Sequence, residues 1–207
     1  MTPRPYRLGR RAQSAEETLR RIVRATYTLH CEQGVAATTM KQIARRADVS
    51  VGTVYHHFPT YEDVVRACGR HVHELTRPPT LAIFAGLRFL PGRIERLTSE
   101  LFAYYERFPM FERVRCDQDK VPLLAQSVAR QESDLAALVR EALQPVGAPL
   151  RLVRMTRALT RFAVYRSLTE QGLSTRDAAA EIAEVILAWV NRIRSRPTPT
   201  HTSSTGG

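Results

Sequence analysis

Between Thr38 and Phe58 the chain reads TTMKQIARRADVSVGTVYHHF, and its side chains suit close contact with a polyanion. Within Val51 to His57, Val54 and Phe58 are four residues apart and face inward on a short helix. Gly52, Thr53, His56 and His57 are left outward or at the rim. Small residues let a backbone approach base edges, and Thr53 can offer a methyl to thymine or a hydroxyl to a base edge. Tyr55 can reach a phosphate through its hydroxyl, and helix first turns can aim backbone N–H groups at phosphates. The alternative is an ordinary helical hairpin inside a bundle.

These residues need short, firmly started helices to hold them. Thr39-Met40-Lys41-Gln42 has the form of a capping box and opens a helix with inner face Met40, Ile43, Ala44 and Ala47. Asp48-Val49-Ser50 is a turn, and Ser50 is a good N-cap for the next helix. Upstream, Ser14 to Glu17 reads as another capping box. It starts a helix with Leu19, Ile22, Val23, Thr26, Leu29 and His30 on one face, ended by Gly34. Downstream, Thr60 to Asp63 repeats the capping logic and starts a helix to about Arg77, stopped by Pro78-Pro79. Later helices are expected over 80–90, 92–108, 121–144 and 149–170, with a last one capped by Ser174. No convincing strand pattern occurs, so the predicted class is all-α.

Composition narrows the partners. The chain has 207 residues, a formal net charge of +11 and 43% hydrophobic side chains. Residues 1–56 carry a net +6 and the remaining 151 a net +5, so positive charge is about threefold denser at the front. A polyanionic partner is expected there. Three separated cysteines, Cys31, Cys68 and Cys116, show no disulfide-framework or zinc-ligand spacing, and a reducing cytoplasm fits them. No apolar run reaches the ~18 residues of a membrane span, so no membrane partner is expected. There is no P-loop, GxSxG, HExxH or CxxC, and no converging nucleophile and base, so the chain is read as a non-enzyme without cofactor or metal. A basic helical scaffold is the remaining competitor, and the basic arm lacks the apolar face it would need.

The string Thr39 to Ala44, followed by Val49 to Pro59 (VSVGTVYHHFP), closely resembles the DNA-binding domain of TetR-type (TetR/AcrR) transcriptional regulators. The match covers about residues 14–65. It implies a three-helix helix-turn-helix DNA-binding domain over 14–60, preceded by a flexible basic arm over 1–13. A fourth helix joins it to a helical effector-binding and dimerisation domain over 61–196, with a disordered tail over 197–207. The implied function is a ligand-responsive homodimeric repressor of bacterial type, bound to a palindromic operator of double-stranded DNA and released by an unknown small-molecule effector. An activator of the same fold is the alternative.

Carried over by position, Thr39 and Tyr55 look like phosphate contacts, Lys41, Val51, Gly52 and Thr53 like base-proximal residues, and His56 and His57 like rim contacts. Ser50 belongs to the same surface. The family often has Lys where this chain has Tyr61, whose hydroxyl could replace the hydrogen bond but not the charge. The arm residues Arg4, Arg7, Arg10 and Arg11 could compensate by tracking phosphates or the minor groove.

The rest of the chain is less explicit. The resemblance implies that the last two long helices build a four-helix dimer interface, with Leu152 and Leu159 on one and Ile182, Val185, Ile186, Trp189 and Ile193 on the other. Candidate effector-pocket residues are Phe84, Leu101, Tyr104, Tyr105, Phe108, Phe111, Phe162 and Tyr165. The polar run Phe111 to Lys120 is expected to be a solvated bend. Cys116 beside Arg115 is a possible redox thiol, with an idle thiol the simpler reading.

Overall fold

The structure is a computed structural model that describes residues 6–194, all-α with no strand among them. In order, the helices are α1 (Tyr6–Gln33), α2 (Met40–Ala47), α3 (Val51–His57), α4 (Tyr61–Thr76), α5 (Leu90–Glu106), α6 (Phe111–Asp117), α7 (Pro122–Ala142), α8 (Leu150–Leu159), α9 (Phe162–Glu170) and α10 (Thr175–Arg194). They form two compact units. One runs through Pro78 and takes in Tyr104–Ser133; the other holds Pro79–Ala103 and the chain from Asp134.

The first unit is built on a tight apolar cluster. Ile22, Leu29, Ile43, Ala44, Val54, Phe58 and Val64 are all buried in it, so α1 to α4 share one core. Burying each such aliphatic or aromatic side chain contributes about 1.5–3 kcal/mol. The three-and-four spacing on α1 holds from Ile22 onward, whereas Leu19 is exposed. Val64 and Ala67 of α4 complete this core. α6 also ties in: Arg113 donates to the Glu32 carbonyl at 2.6 Å, and the Asp117 carboxylate accepts from the Ala36 amide at 3.1 Å.

In the second unit α10 packs against α8 and α9, and Phe102 meets Tyr165 edge-on at 5.3 Å. Arg93 is almost fully buried. Its guanidinium donates to the Leu87 and Glu141 carbonyls and pairs with the Glu141 carboxylate at 2.5 Å, which satisfies the charge away from water.

Five expectations need correction. α1 begins at Tyr6, so the Ser14 box lies inside a continuous helix, where the Ser14 carbonyl accepts from the Thr18 hydroxyl. Residues 80–90 make only a 3-10 turn at Leu81–Phe84, because Gly86 takes a left-handed conformation at φ 77° that ends it. The next helix starts at Leu90 rather than Gly92. The polar run from Phe111 is helical, with Arg115 stacked on Phe111 at 3.7 Å and paired with Glu132 at 2.8 Å. The expected helix 149–170 is two, α8 and α9. At the break the Thr160 hydroxyl and amide both bond the Thr156 carbonyl, a back-bonding that bends helices, and Arg161 is extended. Arg4 and the tail 197–207 lie outside the described residues; Arg7, Arg10 and Arg11 are on the helical backbone of α1.

Candidate nucleic-acid interface and adjoining cavity

The α2–turn–α3 unit is fixed by local polar chemistry. Thr39 accepts from the Gln42 amide at 3.3 Å while Gln42 Oε1 accepts from the Thr39 amide at 2.8 Å, a complete capping box. Asp48 ends α2 in the left-handed region at φ 53°, and its carbonyl accepts from Arg21 at 3.2 Å. Ser50 Oγ accepts from the Thr53 amide at 3.0 Å and lies 2.8 Å from the Thr53 hydroxyl.

This leaves one open face. Lys41, Val51, Gly52, Tyr55 and His56 are exposed, and Thr53 and His57 are partly so. Tyr55 is 48% exposed and Val51 39%, both high for residues of their size on a folded helix. The His56 and His57 rings meet edge-to-face at 5.5 Å. α3 carries no carboxylate. A Cβ on Gly52 would meet only Ser50 Oγ, at 3.7 Å, so space around it is open toward solvent.

Tyr61 does not join that face. Its half-buried hydroxyl donates to the Val35 carbonyl at 2.5 Å and lies 3.1 Å from His30 Nε2. The tyrosine at this position is turned into the core, and cannot stand in for a phosphate-binding lysine. Burial pushes its pKa above the usual phenol range. Since its one hydrogen goes to Val35, His30 Nε2 must carry the hydrogen between the two rings. His30 Nδ1 is then the acceptor for the Cys68 thiol, 3.5 Å away. Burial lowers His30 to about 4, partly offset by the Asp117 charge, and pushes the Cys68 thiol up to about 12. His30 is therefore neutral at physiological pH and Cys68 a protonated thiol. Arg115 is committed to Phe111 and Glu132, and Cys116 is exposed.

His30 and Cys68 form part of the wall of a cavity of about 510 Å³ within the first unit. α4 supplies Val65, Arg70 and His73, the end of α5 supplies Tyr104, and α7 supplies Leu124, Val128 and Arg130. Of the expected pocket residues, Tyr104 and Phe108 line it. Tyr105 and Phe111 stack beside them, centroids 4.9 Å apart, without lining it. Phe84, Leu101, Phe162 and Tyr165 belong to the second unit. The sequence reading missed His30, Cys68, Arg70 and Arg130; charge density on α4 and α7 was the one available signal.

The expected dimer residues also divide. Leu152, Ile182 and Ile186 are buried within this single chain and serve its own core. Val185 is 48% exposed, and Leu159, Trp189 and Ile193 are partly exposed. Leu150 and Met155 add exposed apolar surface on α8. Among the described residues no His/Cys/Asp/Glu group could hold a metal ion, and no helix is long and apolar enough to cross a membrane.

A family model described as "Bacterial regulatory proteins, tetR family" matches residues 22–68. The repressor KstR of Mycolicibacterium smegmatis is 35% identical over 96 residues, covering 43% of this chain and 46% of the relative. The transcriptional regulator SrpR of Pseudomonas putida is 41% identical over 75 residues, 35% of each chain. The chain thus spans less than half the length of these relatives. A solved transcriptional regulator from Aquifex aeolicus VF5 superimposes with a TM-score of 0.61 at 17% identity, over 83% of this chain and 99% of that one, which shows a shared fold.

Proposed function

We propose that this chain, whose residues 22–68 match the tetR family model, is a sequence-specific DNA-binding transcriptional regulator. The observation that carries this reading is the open, carboxylate-free face of α3 on a capped α2–turn–α3 unit. Such a helix enters the major groove with its N-terminal residues against base edges. Val51, Gly52 and Thr53 would meet bases, Tyr55 and the Thr39 region phosphates, and Lys41 either. Arg10 and Arg11, in the first turns of α1, would add phosphate contacts.

The simplest mode is a homodimeric repressor on a palindromic site, with the exposed apolar residues of α8 and α10 pairing two copies. An effector in the first unit's cavity would favour a conformation with poorer half-site fit, a shift that needs unequal affinity for the two states. Selection of bound duplexes from a random library tests the reading. The expected result is an enriched two-fold symmetric motif, with Thr53→Ala relaxing preference at one position per half-site by about 1–3 kcal/mol. A pool that stays random after several rounds contradicts it.

A further inference from the structure

We propose that the cavity of the first unit takes a single-chain amphiphile with an anionic head; this rests on reading that cavity as the effector site. Its deep wall is apolar: Val65, Leu124, Val128 and Met110 are each buried. Most of the uncharged polar groups that line the cavity are held by neighbours within the protein. The Cys68 thiol is satisfied by His30, Gln131 donates to the Tyr104 hydroxyl, Thr76 donates to the Val72 carbonyl at 2.8 Å, and Ser127 donates to the Leu123 carbonyl at 3.1 Å. Apart from the Tyr104 hydroxyl hydrogen, which the bond from Gln131 leaves unused, a polar ligand body would lose its water there with little hydrogen bonding gained, so the occupant's body is largely apolar.

The solvent-exposed part of the lining has the opposite character. Arg66, Arg70 and Arg130 belong to it, and no Asp or Glu lines the cavity. Arg66 leans on Glu62 at 3.5 Å, whereas Arg70 and Arg130 have no ion-pair partner among the described residues. One guanidinium comes from α4 and the other from α7. A carboxylate or phosphate ester held by both completes charges the protein leaves open, and a cationic or neutral head does not. The volume falls within the range of about 300–1,000 Å³ usual for small-molecule sites.

The test is calorimetric titration of the full chain, without DNA, with dodecanoate, dodecanol and dodecylamine, each below its micellar concentration. The expected result is saturable one-site binding of dodecanoate, about tenfold or more tighter than either neutral or cationic counterpart. Arg70→Gln with Arg130→Gln should erase that preference while leaving dodecanol binding unchanged. Val128→Trp, which fills the cavity, should abolish binding in a protein that still melts cooperatively. Absent binding of dodecanoate, equal binding of all three, or an unchanged preference in the double variant overturns the proposal. The titration contains no DNA, so its failure and a failure of the DNA-binding reading are separate results.

Discussion

His30 shows how a single residue couples a core to pH. It is buried and neutral, held between the Tyr61 hydroxyl and the Cys68 thiol. Its folded pKa of about 4 lies below the ordinary 6.5. Between these values the unfolded chain binds a proton that the folded chain refuses, so stability rises with pH across that window and is lost on acidification through it. The full loss is roughly 3 kcal/mol. Denaturant melts between pH 4.5 and 7 should show this slope, and His30→Gln should flatten it; an unchanged slope in the variant contradicts the assignment. Gly34 is a second residue on which stability turns, through backbone geometry rather than charge. It sits at φ 90°, and an added Cβ would come within 2.6 Å of Asp117 Oδ2. Gly34→Ala should cost at least about 1–2 kcal/mol, read as a lower denaturation midpoint.

At the scale of elements, the short helices rest on their caps. α4 starts with a reciprocal box in which Thr60 accepts from the Asp63 amide at 3.2 Å and the Asp63 carboxylate accepts from the Thr60 amide at 3.0 Å. Thr60→Ala should destabilise by about 1 kcal/mol, a shift in thermal midpoint with the DNA-facing residues untouched. These caps were legible in the sequence because each spans three residues. The same holds for the inner residues Ile43, Val54 and Phe58, fixed by helical period. Contacts between distant residues were not legible. Tyr61 reads as surface from its place at a helix start, yet its partners are Val35 and His30, 26 and 31 residues away. Asp117 meets Ala36 across 81 residues, so nothing local marks the run from Phe111 as a helix tied to the α1–α2 loop. The division of α8 from α9 was hidden for another reason: no Pro or Gly marks it, and the bend coincides with the Thr160 hydroxyl bonding back to the Thr156 carbonyl.

At the scale of the whole molecule, the proposed function requires a DNA-facing helix, an effector cavity and a surface that pairs two copies. The paired-copy part depends on apolar residues that the single chain leaves exposed. Val185→Glu should give a folded protein that sediments as a monomer and binds a palindromic duplex far more weakly, whereas Ile186, fully buried, should not tolerate charge at all. The central claim is sequence-specific DNA binding through α3, and the most direct measurement is competition. A fluorescent duplex bearing the selected motif is displaced by unlabelled copies of itself or of a scrambled duplex of equal length, across a series of salt concentrations. The account predicts that the motif competes about a thousandfold or more better than the scramble at physiological salt. It also predicts that Lys41→Gln lowers affinity for both duplexes and reduces the salt slope by about one. Equal competition by motif and scramble at every salt concentration would contradict it, leaving only a basic surface that binds any polyanion.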